Sequence, residues 1–200
     1  THPFINFCTI RNNDDGGLYA ESLNSTLKIF NSTFDNNGDR NGRGGGVLVK
    51  QGGTVIIDSC VFTDNEGSRG GGIDLRSATS EIKNSVIRGN AASEMNFGGG
   101  GILIQEGTTT ITNNKITNNI ATGYNGGGGI LLYQASGTIS ENLIKGNTMN
   151  QDGDGGGISI RRAAVSVLSN KIIGNSAQRS GGGIYSREST VIIKDNILNN

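Results

Sequence analysis

Three observations predict that this 200-residue chain folds as an all-β solenoid, a single right-handed parallel β-helix of seven to eight coils spanning residues 1–200. A glycine run closed by an aliphatic residue recurs at Gly17–Leu18, Gly46–Val47, Gly72–Ile73, Gly101–Ile102, Gly129–Ile130, Gly157–Ile158 and Gly183–Ile184, in steps of 26 to 29 residues. Between these runs stands a β-branched residue, at Ile5, Ile29, Ile57, Ile82, Ile111, Ile139, Val167 and Ile192, and asparagine follows each by eight residues, ending at Asn200. The separation from β-branched residue to asparagine is fixed, whereas that from the asparagine to the last glycine varies from four to eleven residues. A fixed period with one variable segment is the pattern of stacked units joined by a loop. The right hand follows from the crossover preference of parallel strands.

The elements of one unit follow in order. The β-branched residue marks a first strand, and three residues later a short turn former closes it: Cys8, Ser32, Cys60, Ser85, Asn114, Asn142, Asn170 or Asp195. A second strand centres on Ile10, Phe34, Phe62, Ile87, Ile116, Ile144, Ile172 or Ile197, and the asparagine turn ends it. After the variable loop comes the glycine-run strand, whose alternation in Ile102–Leu103–Ile104 has period two. Three strands per coil result. With coils ~4.8 Å apart, equivalent residues stack in columns and the rod is roughly 35–40 Å long. The isoleucine columns form the interior, and the asparagine columns suit turns because that side chain tolerates left-handed backbone and bonds to its copies above and below.

Phe34 to Asn37 and Phe62 to Asn65 are Phe-x-x-Asn, each followed by Gly-Gly-Gly-aliphatic. These repeats resemble those of the chlamydial polymorphic outer-membrane proteins, and the whole chain resembles the right-handed β-helix proteins of the pectate-lyase-like type. Isoleucine replaces the phenylalanine in most coils. The first resemblance implies surface display and adhesion. The second implies that the glycine-run strand forms a groove, and it covers polysaccharide lyases and hydrolases as well as non-enzymes.

On that strand the outward positions form two rows. Tyr19, Leu48, Asp74, Leu103, Leu131, Ser159 and Tyr185 make the first, and Glu21, Lys50, Arg76, Gln105, Tyr133, Arg161 and Arg187 the second. Lys50, Arg76, Arg161 and Arg187 are candidates to bind an acidic glycan, with Tyr19, Tyr133 and Tyr185 stacking on sugar rings. Asp74 and Arg76 sit on one strand, Glu21 lies in the first glycine-run strand, and no second carboxylate occupies the outward positions next to Asp74, as glycoside hydrolysis requires. No catalytic residue and no cofactor are therefore assigned. Asp152 and Asp154 are weak candidates for calcium. The glycine columns either leave a backbone floor for a ligand or supply positive φ where the loop re-enters the strand. Cys8 and Cys60 share a column with Ser32 between them, ~9–10 Å apart and beyond disulfide reach, so two separate thiols are expected.

Seventeen basic and seventeen acidic residues leave no net field to attract nucleic acid, and no window is apolar enough for a transmembrane helix. The start in mid-repeat suggests processing or a longer parent chain, and neither end reads as a cap, which invites end-to-end self-association. The expected function is a non-catalytic extracellular or cell-surface module, adhesin-like or a fibre spacer, with a glycan or surface protein as ligand. The alternatives are an extracellular polysaccharide lyase or glycoside hydrolase, and a filament subunit stacking end to end.

Overall fold

The computed structural model describes residues 2–38, 44–94 and 96–199; Asn200 lies outside them. Every strand pairs in parallel with its equivalent one coil away, and the pairs assemble into four sheets. One central coil shows the plan. Thr108–Thr112 belongs to sheet I, Lys115–Thr117 to sheet II, Ile120–Thr122 to sheet III and, after the glycine loop, Ile130–Tyr133 to sheet IV. Sheets I and II each have eight strands and sheet IV has seven. The three expected strands per coil are present. Sheet III is an addition of five strands, each two or three residues long, where the chain leaves the asparagine turn.

The column Ile29, Ile57, Ile82, Ile111, Ile139 and Val167 is wholly buried, as are Phe34 and Phe62, whose rings stack 4.9 Å apart. A fully buried side chain of this size contributes roughly 1.5–3 kcal/mol, so these columns carry the fold. Two polar ladders run beside them. In one, each asparagine from Asn13 to Asn147 receives its neighbour's register through a shared oxygen: the backbone N and Nδ2 of Asn90 both donate to Oδ1 of Asn119, and Nδ2 of Asn90 also donates to the Phe62 carbonyl. The other ladder runs from Asn114 through Asn142 and Asn170 to Asn196.

The last coil departs from the sequence expectation by one residue. Ile193, not Ile192, pairs with Val167, and Asn196, not Asp195, continues the second ladder. Likewise Leu198, not Ile197, pairs with Ile172. The step of nine residues from the glycine-run strand to sheet I, as from Ile158 to Val167, is kept from Ile184 to Ile193. Counting back eight residues from Asn200 breaks it. Asp195 takes φ +58 at the corner, a position that Glu141 and Ser169 occupy in the preceding coils.

The glycine requirement matches the expectation only in part: Gly16, Gly155 and Gly181 take positive φ where the loop re-enters the strand. Gly46, Gly72, Gly101, Gly129 and Gly157 are not among the positive-φ residues. A Cβ on any of them would lie 2.5–2.8 Å from the carbonyl oxygen of the next glycine in the column. Close approach of coils excludes a side chain here. Left-handed backbone is concentrated instead at the corners: Gln51, Ser77, Glu106, Gln134, Arg162 and Glu188 turn the chain from sheet IV into sheet I with φ of 50 to 61°. The two thiols are separate: Cys60 is buried, Cys8 is exposed, and the backbone N of Cys8 donates to Ser32 Oγ in the coil between them. Burial pushes the Cys60 thiol up from its ordinary value.

Candidate functional site

The registers of sheet IV reproduce both outward rows residue by residue, from Tyr19↔Leu48 to Ser159↔Tyr185 and from Glu21↔Lys50 to Arg161↔Arg187. The first row, however, is not an open groove floor. Leu48, Asp74, Leu103, Leu131 and Ser159 are buried. The glycine runs fold back over them: a side chain at Gly44 would strike Leu48 and Asp74, one at Gly70 would strike Asp74, and one at Gly155 would strike Ser159. These loops also rest on Ala92, Ala121 and Met149, a small second core under sheet III.

Burial of Asp74 is matched by a partner two residues on. Arg76 donates through Nε to Oδ1 at 2.9 Å and through Nη2 to Oδ2 at 2.5 Å. Burial works against the Arg76 charge, but the hydrogen bonds and charge of Asp74 outweigh it and leave the guanidinium raised above its ordinary value. A second pair repeats the pattern. Asp154, the calcium candidate, is buried and accepts from Arg161 Nη2 at 3.1 Å, with Arg179 Nε 4.0 Å from its other oxygen. Asp154 thus faces guanidinium groups, which repel a cation, while Asp152 is exposed with φ +56. Oδ1 of Asp154 is buried without a hydrogen-bond partner among the described residues.

The remaining candidates fall into two places. In the first coils Lys50 Nζ lies 5.5 Å from the Tyr19 ring, whose hydroxyl donates to Glu21 Oε2. In the later coils Arg161 packs 4.6 Å over the Tyr185 ring, and Arg161, Tyr133 and Arg187 line one cleft of about 200 Å³. Its further wall was not apparent from the strand pattern. Phe97 reaches over from the longest glycine loop and sets its ring 4.5 Å from that of Tyr133, and Asn125 arrives from the next loop. The eleven-residue loop length was the only signal pointing to Phe97.

The cleft opens beside a furrow of about 850 Å³ that follows the corner between sheets IV and I. One small residue per coil floors it: Ala78, Gly107, Ala135 and Ala163. Thr108 and Ser136, hydrogen-bonded at 3.1 Å, stand on one side, and Glu106 and Gln134 on the other. Arg162 and Glu188 line both spaces and bridge at 2.8 Å. The hydrogen bond raises Arg162 and, with the charge of Arg162, lowers Glu188. Both side chains are about half exposed, so the bridge is solvent-screened. Chemically, cleft and furrow offer an aromatic wall, guanidinium donors and rows of hydroxyl and amide groups, which suit recognition of a polyhydroxylated chain.

A family described as "Right handed beta helix region" matches residues 1–87 and 71–200, which together span the chain. No curated protein and no solved structure matches. With its whole length matched and its coils closed by parallel pairing in four sheets, the chain belongs to the right-handed β-helix family.

Proposed function

We propose that this β-helix is a non-catalytic, adhesin-like module of the cell surface that holds a glycan against the Phe97–Tyr133 wall and along the adjoining furrow. The observation that carries the reading is the aromatic wall of Phe97 and Tyr133, with rings 4.5 Å apart beside the furrow; on sheet IV both oxygens of Asp74 are held by Arg76, and one oxygen of Asp154 by Arg161. What stays open is aromatic and hydrogen-bonding surface. The similarity of the Phe-x-x-Asn and Gly-Gly-Gly-aliphatic repeats to the chlamydial outer-membrane proteins supports surface display.

The test is a glycan array with the full chain, repeated with Tyr133→Ala. Loss of an aromatic platform is expected to weaken binding of a retained glycan about tenfold, the equivalent of about 1.4 kcal/mol. Equal binding by the variant would place the ligand elsewhere. The same glycans are then assayed for new reducing ends or unsaturated products. Turnover abolished by Asp74→Asn would replace this reading with the polysaccharide-active enzyme.

A further inference from the structure

The basic row of sheet IV, which the sequence marks for an acidic ligand, is largely neutralised within the fold; the unpaired cations gather on a different face. We propose that the outward face of sheet II, from the fourth to the seventh coil, binds a linear polysaccharide carrying about one sulfate or carboxylate per sugar. Val86–Arg88, Lys115–Thr117, Leu143–Lys145 and Lys171–Ile173 are four consecutive strands of that sheet. Their central residues point into the core, and each strand displays one cation: Arg88, Lys115, Lys145 and Lys171, all exposed. The registers set these cations in two alternating columns. Lys115 and Lys171 flank Leu143, and Arg88 and Lys145 flank Thr117.

None of the four takes part in any of the ion pairs formed among the described residues. No acidic residue stands on these four strands; Glu141 stands at the corner before Leu143, and Asp64, at the corner of the coil before, packs against Gly89 next to Arg88. In a molecule with seventeen charges of each sign, this is a segregated line of positive charge rather than a share of a general excess. Its step decides the partner. One cation per coil recurs every ~4.8 Å, so four span ~14 Å, and the strip is a single three-residue strand wide. The rise of an extended pyranose chain keeps pace with that step. Phosphates of duplex DNA rise about 3.4 Å per nucleotide along the helix axis and wind around it, so they do not follow a straight strip with this step. A lipid plane would need charge spread sideways, where the corners carry Asn113, Asn118 and Glu141. The face is separate from the cleft of sheet IV: one sheet lies between them in either direction around the coil. The inference does not rest on the cleft being a binding site.

The test uses the full chain on immobilised dextran sulfate, polygalacturonate and unsubstituted dextran across a salt series. Binding to one or both charged polymers and not to dextran is expected, and the preferred polymer identifies the anionic group. Four contacts predict that log K falls with log salt with a slope of about −3, on the scale of −0.7 to −0.9 per neutralised charge. Lys115→Glu with Lys171→Glu is expected to weaken binding at least tenfold and to halve the slope, whereas Lys115→Arg with Lys171→Arg keeps both. Binding that survives both lysine substitutions but falls in Tyr133→Ala would place the polymer in the cleft instead and overturn the proposal. Arg88→Gln with Lys145→Gln serves as an independent pair should the charge reversal unfold. Undiminished binding by folded variants of both pairs would overturn the proposal, as would binding to neither charged polymer. Tighter binding to duplex DNA or to phosphatidylserine vesicles at the same salt would also overturn it.

Discussion

Asn119 shows what a ladder residue does that no other side chain could. Its Oδ1 accepts from the backbone N and Nδ2 of Asn90 at 3.0 Å, while its Nδ2 donates to the Ile87 carbonyl and to Asn147 Oδ1. One amide thus satisfies groups in the coils on both sides, all of them out of reach of water. A carboxylate would lack the donor, and a serine the reach. Asn119→Ala strands buried partners at about 1–3 kcal/mol each, so the loss is expected to reach at least ~3 kcal/mol. Urea unfolding checks it: the midpoint falls at constant m. A change within ~0.5 kcal/mol, the range of an ordinary surface substitution, would contradict the role given to the ladder. The asparagines themselves were legible from their strict eight-residue spacing. Which donor meets which acceptor was not, because it depends on the stacking of two coils.

At the scale of the element, corners and loops behave oppositely. A corner is one left-handed residue, such as Asn113 with φ +53, between strands that are each hydrogen-bonded to both neighbours. Asn113 N itself donates to the Ser140 carbonyl. An alanine inserted after Asn113 would shift the strand behind it by one residue and turn the buried Ile116 outward. Such a chain is expected to lose its cooperative thermal transition. Two glycines inserted after Tyr124, exposed at the tip of a variable loop, cost little closure entropy and should leave the melting curve nearly unchanged. Circular dichroism melts of the two variants distinguish these outcomes; equal tolerance would disprove that corners set the register. The last coil teaches the same lesson, since anchoring on Asn200 instead of the glycine-run strand misplaces Ile192 by one residue.

For the whole molecule, each strand contacts its equivalents in the adjacent coils, so stability is a sum of neighbouring terms. Ile111 is fully buried in the fifth coil. Ile111→Asp puts an unpaired carboxylate into the stack, at a cost on the order of 4 kcal/mol. The introduced group is expected to titrate above its ordinary range, since burial disfavours its charge. Its penalty is therefore full at neutral pH and shrinks as pH falls through that raised value, when the folded state keeps the carboxyl neutral. Hydrogen exchange should show protection lost in the fourth to sixth coils and largely kept beyond them. Wild-type stability at neutral pH would refute the inward placement of Ile111.

The sequence by itself determined the solenoid, the isoleucine and asparagine columns in all but the last coil, and both outward rows of sheet IV, because a repeat writes the same contact many times and periodicity reports it. Only the tertiary structure decided which outward residues remain outside. Glycine loops of unequal length fold back over Asp74 and Leu103, bring Phe97 to Tyr133 and let Asp154 meet Arg161. These contacts join residues from loops that obey no repeat, and only the packing of one coil on the next brings them together. The same packing pairs Arg76 and Arg161 of sheet IV with buried carboxylates.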